Sequence, residues 1–212
     1  GIMTNYKDVS AEKAYRQKFT RSVRELQLIE TVASIANSTE NAGDAMEQSL
    51  EVMAKFLGWP AGAVAKVRKD EDGVLLVPVE HMYIADENKF GYLRELAGKR
   101  RFRPGEGTIG VTYARGVPQW YENIFEQQDF EPLVKIEDNN IRAALTIPIY
   151  AGSEIYAIMV FYADKIMPRD AYVNDLMHRL GVQLGRLAER ENSAEMLVQK
   201  RAAEAANKAK TM

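Results

Sequence analysis

The chain has 212 residues, 46% of them hydrophobic, and a formal net charge of −2. That is enough apolar material for one domain with extensions or two small ones, and it excludes a disordered or fibrous chain. The near-balanced charge excludes a global field that would draw the protein to nucleic acid or to an anionic membrane. Cysteine is absent, which excludes disulfides, thiolate zinc sites and a cysteine nucleophile, and a cytoplasmic location is expected. No apolar run approaches the roughly 20 residues that span a bilayer, and the first residues lack the basic-then-apolar layout of a signal peptide, so no membrane insertion is expected.

Residues 11–36 form a helical pattern without proline or glycine, in which Tyr15, Phe19, Ser22, Leu26, Ile29, Ala33 and Ala36 recur at alternating spacings of four and three. That is a heptad seam. Residues 39–57 read as a second helix, capped by Ser38 or Thr39 and stopped by Gly58, with Ala42, Ala45, Met46, Leu50, Met53 and Leu57 on one face. Strands are expected over 62–67 and 75–84, and the polar turn between them ends in Asp-Gly, which predicts an antiparallel hairpin. Helices are expected over 88–96 and 108–115. Pro118, Gln119, Trp120 and Tyr121 read as a short edge strand, with the proline where a missing N–H is tolerated.

An irregular acid-rich stretch, 122–140, separates this part from the clearest hairpin of the chain, 143–150 and 154–162, joined by Ala151-Gly152-Ser153. Residues 170–209 then repeat the heptad arrangement through Val173, Met177, Leu180, Leu184, Leu187, Glu191, Ala194 and Val198. A helix of about 40 residues is roughly 60 Å long and must project from the small body between the two ends. Its apolar stripe is best covered by its twin, so a parallel homodimer through the N- and C-terminal helices is expected. Short turns between consecutive strands imply an α+β domain on a mostly antiparallel sheet.

Five stretches, in order, resemble a GAF domain. They are Ile35-Ala36-Asn37-Ser38-Thr39, Leu57-Gly58-Trp59, Gly105-Glu106-Gly107-Thr108-Ile109-Gly110, Gly116-Val117-Pro118-Gln119-Trp120, and the run from Ile141 and Arg142 to Pro148 and Ile149. The resemblance implies a central antiparallel sheet of about six strands with flanking helices, preceded and followed by long coiled-coil helices. It divides the chain into a linker helix over 1–29, a GAF domain over 30–190 and a signalling helix over 191–212. Residues 1–13, with Asp8, Ser10 and Lys13, are similar to the exit of a PAS domain. Residues 202–210 are similar to the lead-in to the phospho-acceptor helix of bacterial sensor histidine kinases. The implied role is a non-catalytic sensory or relay module of such a kinase, passing a change in helix register or rotation to an output domain.

Gly105, Gly107 and Gly110 also match a dinucleotide-binding fingerprint, the mark of an oxidoreductase. The approach through Lys99, Arg100, Arg101, Phe102, Arg103 and Pro104 speaks against it, because cations and a proline cannot line a buried parallel strand. The GAF resemblance makes this stretch a loop-to-helix turn instead. Without aromatic residues interleaved, the same basic run reads as a solvated loop rather than a phosphate contact. His81, in a strand beside Met82, is a candidate haem ligand with no second histidine near it in sequence, and His178 falls in the C-terminal helix. Bilin attachment through a thioether needs the missing cysteine. Asn88-Lys89-Phe90 lacks the dispersed spacing of cyclic-nucleotide GAF domains. The acidic loop, including Glu122, Glu126 and Asp129, has no partner base or nucleophile at definable spacing. No cofactor or metal is therefore expected.

What remains is an apolar pocket. The elements that would surround a GAF cavity carry Tyr83, Phe90, Tyr92, Phe102, Trp120, Tyr121 and Phe130, with Arg94, Thr108 and Asn123 as polar groups. The candidate ligand-binding set is Tyr83, Phe90, Arg94, Phe102, Thr108, Trp120 and Asn123, for an unidentified small molecule. The alternative is that these aromatics fill a core and the module is a ligand-free dimerisation spacer.

Overall fold

A computed structural model describes residues 3–69, 75–76, 79–97, 101–127 and 140–210. Helix α1 (Met3–Ser38) ends where the Ser38 hydroxyl donates back to the Ser34 carbonyl at 2.8 Å. Helix α2 (Ala42–Leu57) starts at Asn41, whose Oδ1 accepts from the amides of Gly43 and Asp44, and stops at Gly58 in the left-handed region. The stop falls where the sequence places it. The start is three residues later than expected, because Ser38 still closes α1 and Asn41 caps α2.

Strands β1 (Ala61–Lys66), β2 (Arg68–Lys69), β3 (Leu75–Leu76) and β4 (Val79–Ile84) follow. β1 and β4 form the expected antiparallel pair. Next come α3 (Glu87–Phe90) and α4 (Tyr92–Ala97), which break at Gly91 the single helix expected there, and β5 (Arg101–Phe102). Then follow α5 (Gly107–Arg115), β6 (Gln119–Tyr121), a 3-10 turn (Ile124–Glu126), the hairpin of β7 (Ala143–Ala151) and β8 (Glu154–Ala163), and helix α6 (Ala171–Lys210). Phe130 and most of the acidic loop lie outside the described residues.

One sheet has the order β4-β1-β8-β7-β6 with every neighbouring pair antiparallel, and β6 is an edge, as its proline-led sequence predicts. The main sheet thus has five strands where about six were expected. β2, β3 and β5 are two residues each and pair only among themselves in a second small sheet. Alternation sorts the main sheet into two faces. Leu145, Ile147 and Ile149 of β7 and Met159 and Phe161 of β8 pack with α1, α2 and α6. Ala144, Ile158 and Val160 face the opposite way, toward α3, α4 and α5. Because both faces are covered, β7 and β8 read as near-continuous apolar runs rather than as alternating ones.

Helix α6 lies against β7 at very short range. A Cβ on Gly185 would sit 2.1 Å from the Tyr150 carbonyl oxygen, and one on Gly181 would sit 2.9 Å from Ile147 Cγ2. Glycine one turn apart lets the helix descend onto the strand backbone.

The two heptad patterns divide between the domain and its surroundings. In α6, Met177, Leu180, Leu184 and Leu187 are buried under the protein's own sheet, so half of the expected seam fills the core of a single subunit. In α1 the stripe that meets the domain is Leu28, Val32 and Ala36, whereas Tyr15, Phe19 and Leu26 are 73%, 61% and 59% exposed. Glu25 of α1 meets Tyr172 of α6, and farther along Ala36 meets Arg190, so the two helices run parallel. Their unpacked halves therefore leave the domain at opposite ends. No helix among the described residues is long and apolar enough to cross a membrane.

Candidate functional site

The face of the sheet away from α1, α2 and α6 has a floor of small side chains: Ala61, Ala63 and Ala65 on β1 and Ala144 on β7. Larger groups rise from it at Met82, Ile84, Ile158, Val160 and Tyr162. α5 covers one side, where Thr112 Oγ1 meets Thr146 Oγ1 at 2.5 Å and Ile109 packs on Ile158 and Val160. Phe90, Leu93 and Ile124 cover the other.

Of the seven residues expected to hold a ligand, three are buried on this side: Phe90 from α3, Phe102 from β5 and Thr108 from α5. Asn123 stands at the rim. Its Oδ1 accepts from the Phe125 amide at 3.2 Å and its Nδ2 donates to Glu126 at 2.8 Å, so it caps the 3-10 turn. Arg94 lies outside, in an exposed pair with Glu87 at 2.7 Å that holds its pKa up by hydrogen bonding and charge. Tyr83 and Trp120 are on the opposite face, away from Phe90, Phe102 and Thr108. Tyr83 packs on the α2 side, and Trp120 stacks edge-on against Trp59 at 5.5 Å while its Nε1 donates to the Met167 carbonyl at 2.8 Å. Their positions follow from register, since Tyr83 pairs with Gly62 and Trp120 with Leu145, both on the helix-covered side.

The polar groups nearest the floor include two that the expected set left out. The Tyr92 phenol has its pKa raised by burial, opposed by the nearby Asn140 backbone and the charge of Arg142, and its oxygen has no hydrogen-bond partner among the described residues. The Arg142 guanidinium lies 5.1 Å from the Phe125 ring centre and donates to the Ile141 carbonyl at 2.9 Å. Arg142 stands at the entry of β7 inside a motif already singled out, so its signal was present. What was missing was the side of the sheet on which it emerges.

The glycine fingerprint is explained by backbone geometry. Gly105 N–H donates to the Gly110 carbonyl at 2.8 Å, and a Cβ on Gly110 would sit 2.2 Å from the Arg103 carbonyl oxygen. The strand before it, β5, pairs antiparallel in the small sheet and is no central parallel strand. His81 Nδ1 lies 3.0 Å from Glu47 of α2, on the helix-covered face and away from the alanine floor. His178 is half-buried on α6 with Nδ1 enclosed. Among the described residues no group of three histidine, aspartate or glutamate side chains is placed to hold a metal ion.

A family model described as the GAF domain matches residues 39–188. The chain belongs to the GAF family. Solved structures carry the same fold. The GAF domain of an Acinetobacter phosphoenolpyruvate-protein phosphotransferase shares 12% identity over 81% of this chain and 96% of its own, with a TM-score of 0.62. A free methionine-R-sulfoxide reductase of Neisseria meningitidis, solved with its substrate, shares 13% identity over 80% and 91%, with a TM-score of 0.63. The GAF domain of a protein described as a sensor histidine kinase of Pseudomonas syringae pv. tomato shares 16% over 88% and 99%, with a TM-score of 0.58. No curated protein matches the chain. GAF domains are typically sensory or regulatory and generally non-catalytic, although the fold also serves a reductase.

Proposed function

We propose that this GAF domain is a non-catalytic sensory module of a cytoplasmic sensor histidine kinase, working as a parallel homodimer. In this reading residues 30–190 receive a small molecule over the alanine floor, and α1 and α6 carry the resulting change to an output domain. The observation that carries it is the layout of the two helices. They run parallel, leave the domain at opposite ends, and expose Tyr15, Phe19 and Leu26 on the entering one and Met196, Leu197 and Val198 on the leaving one. The Tyr15, Phe19 and Leu26 stripe of α1 is stable in water when covered, and its twin is the natural cover.

Phe90, Phe102, Thr108, Tyr92, Arg142 and Asn123 are the residues we assign to the ligand. A reductase activity finds no support in the residues. Sulfoxide reduction needs a two-electron donor, cysteine thiols are the protein groups that cycle as one, and the chain has none. The spacer reading has one observation in its favour, since Phe90, Leu93, Ile124 and Ile141 already fill part of the space above the floor.

Protein purified from its native host and denatured is expected to release a small molecule, identified by mass spectrometry. That molecule should raise the melting temperature of refolded protein and fail to do so with Arg142→Ala. An empty protein with no thermal shift across a metabolite panel selects the spacer.

A further inference from the structure

The stripe by which α1 meets its own domain is apolar at Leu28, Val32 and Ala36, but its next position toward the free end is Glu25, which is 7% exposed. A carboxylate placed so needs partners, and two are supplied. Arg21 Nε donates to Glu25 Oε1 at 3.0 Å, and the Tyr172 hydroxyl of α6 donates to Glu25 Oε2 at 2.5 Å. Arg21 reaches α6 as well. Its Nη2 donates to Asp170 Oδ2 at 3.2 Å, and its guanidinium lies 4.8 Å from the Tyr172 ring centre. The other oxygen of Asp170 accepts from the Val173 amide at 3.0 Å, so the carboxylate that caps α6 also holds α1. Arg179, two turns on, faces the Tyr172 hydroxyl too. This cluster sits where the free half of α1 ends and α6 begins.

From this arrangement we infer that Arg21, Glu25, Asp170 and Tyr172 form a polar clasp that fixes the rotational phase of α1 against α6, making Glu25 and Tyr172 positioning residues for signal relay. The relay part of the statement rests on the function proposed above; the clasp itself does not. Apolar contacts between helices are non-directional and permit small rotations, whereas hydrogen bonds hold only within a narrow range of distance and angle. A rotation of α1 would carry Glu25 away from the Tyr172 hydroxyl and Arg21 away from Asp170. Movement arriving along residues 3–24 is thus delivered to the first turn of α6 without passing through the sheet, and α6 is continuous to Lys210.

The absence of cysteine makes the test clean. Spin labels on Lys18→Cys and Asp175→Cys report the helix phase, and labels on Lys55→Cys and Glu154→Cys report the domain body. Distances are read by double electron resonance in labelled chains diluted with unlabelled ones. Glu25→Leu completes the apolar stripe and is expected to keep or raise the melting temperature while broadening the 18–175 distribution. Tyr172→Phe keeps the ring and is expected to broaden it as well. Glu25→Gln, which still accepts from Tyr172, is expected to restore part of the narrow distribution, and the 55–154 distribution stays unchanged throughout. An 18–175 distribution that stays narrow in folded Glu25→Leu and Tyr172→Phe overturns the clasp. Neither outcome depends on a bound molecule or on dimerisation, so an empty or monomeric protein would sink the proposed function and leave this result standing.

Discussion

Thr112 donates its single hydroxyl proton to the Thr108 carbonyl at 2.7 Å, so in its contact with Thr146 it is the acceptor and Thr146 the donor. Both hydroxyls are fully buried between α5 and β7. Thr112→Val would leave the Thr146 proton without an acceptor and break the bond to Thr108, which costs about 1–3 kcal/mol. Thr146→Val removes only a donor and should cost about 1 kcal/mol, and the double variant should cost less than the sum. Urea denaturation measures all three, and a Thr146→Val variant costlier than Thr112→Val would reverse the proton order. At this scale the sequence was legible for residue types and weak for direction. Phe90, Phe102 and Thr108 reach the candidate face, but Tyr83 and Trp120 turn away, because one residue of register in a strand exchanges the faces. Residues 79–84 offered no clean alternation to decide it, since β4 is half-buried on both sides. Arg94, in an exposed ion pair, contributes little to stability and had no pattern that placed it.

Helices were read well because their signals are local. The glycine stops of α2 and α5 at Gly58 and Gly116, both at positive φ, lie at the expected positions, and the β7–β8 hairpin turns at Gly152. Reading which stripe of α1 faces inward was beyond a local rule. Tyr15, Phe19 and Leu26 form one stripe and Leu28, Val32 and Ala36 another, and only the second meets the domain. Under the dimer reading, Phe19→Glu or Leu26→Glu should weaken association at least tenfold, since one buried large side chain is worth about 1.5–3 kcal/mol. Neither should alter the domain's own stability beyond about 0.5 kcal/mol. Sedimentation velocity and thermal melting separate the two effects, and an unchanged dimer moves the interface away from α1. Leu184→Asp is no substitute for this test, because Leu184 is buried in the domain core and its loss would unfold the subunit.

Across the whole molecule, stability is expected to be uneven. β7 and β8 lie between two covered faces, whereas α3 and α4 are single turns at the surface with most of their ends exposed. Hydrogen exchange should therefore find the amides of β7 and β8 opening only with global unfolding and those of α3 and α4 opening locally. Protection in α3 equal to that in β7 would contradict the layering. Under the dimer reading, residues 11–24 of α1 should gain protection that dilution removes.

By itself, the amino-acid sequence determined the presence of the long helices, the glycine stops of α2 and α5, the β7–β8 hairpin and the glycine loop as a turn, because periodicity, caps and backbone crowding act over a few residues. Tertiary structure alone decided that Met177, Leu180, Leu184 and Leu187 face their own sheet, that the alanines of β1 and β7 form a floor, and that Glu25 meets Tyr172. Those outcomes turn on which of several equally apolar faces finds a partner far along the chain, and no local pattern carries that choice.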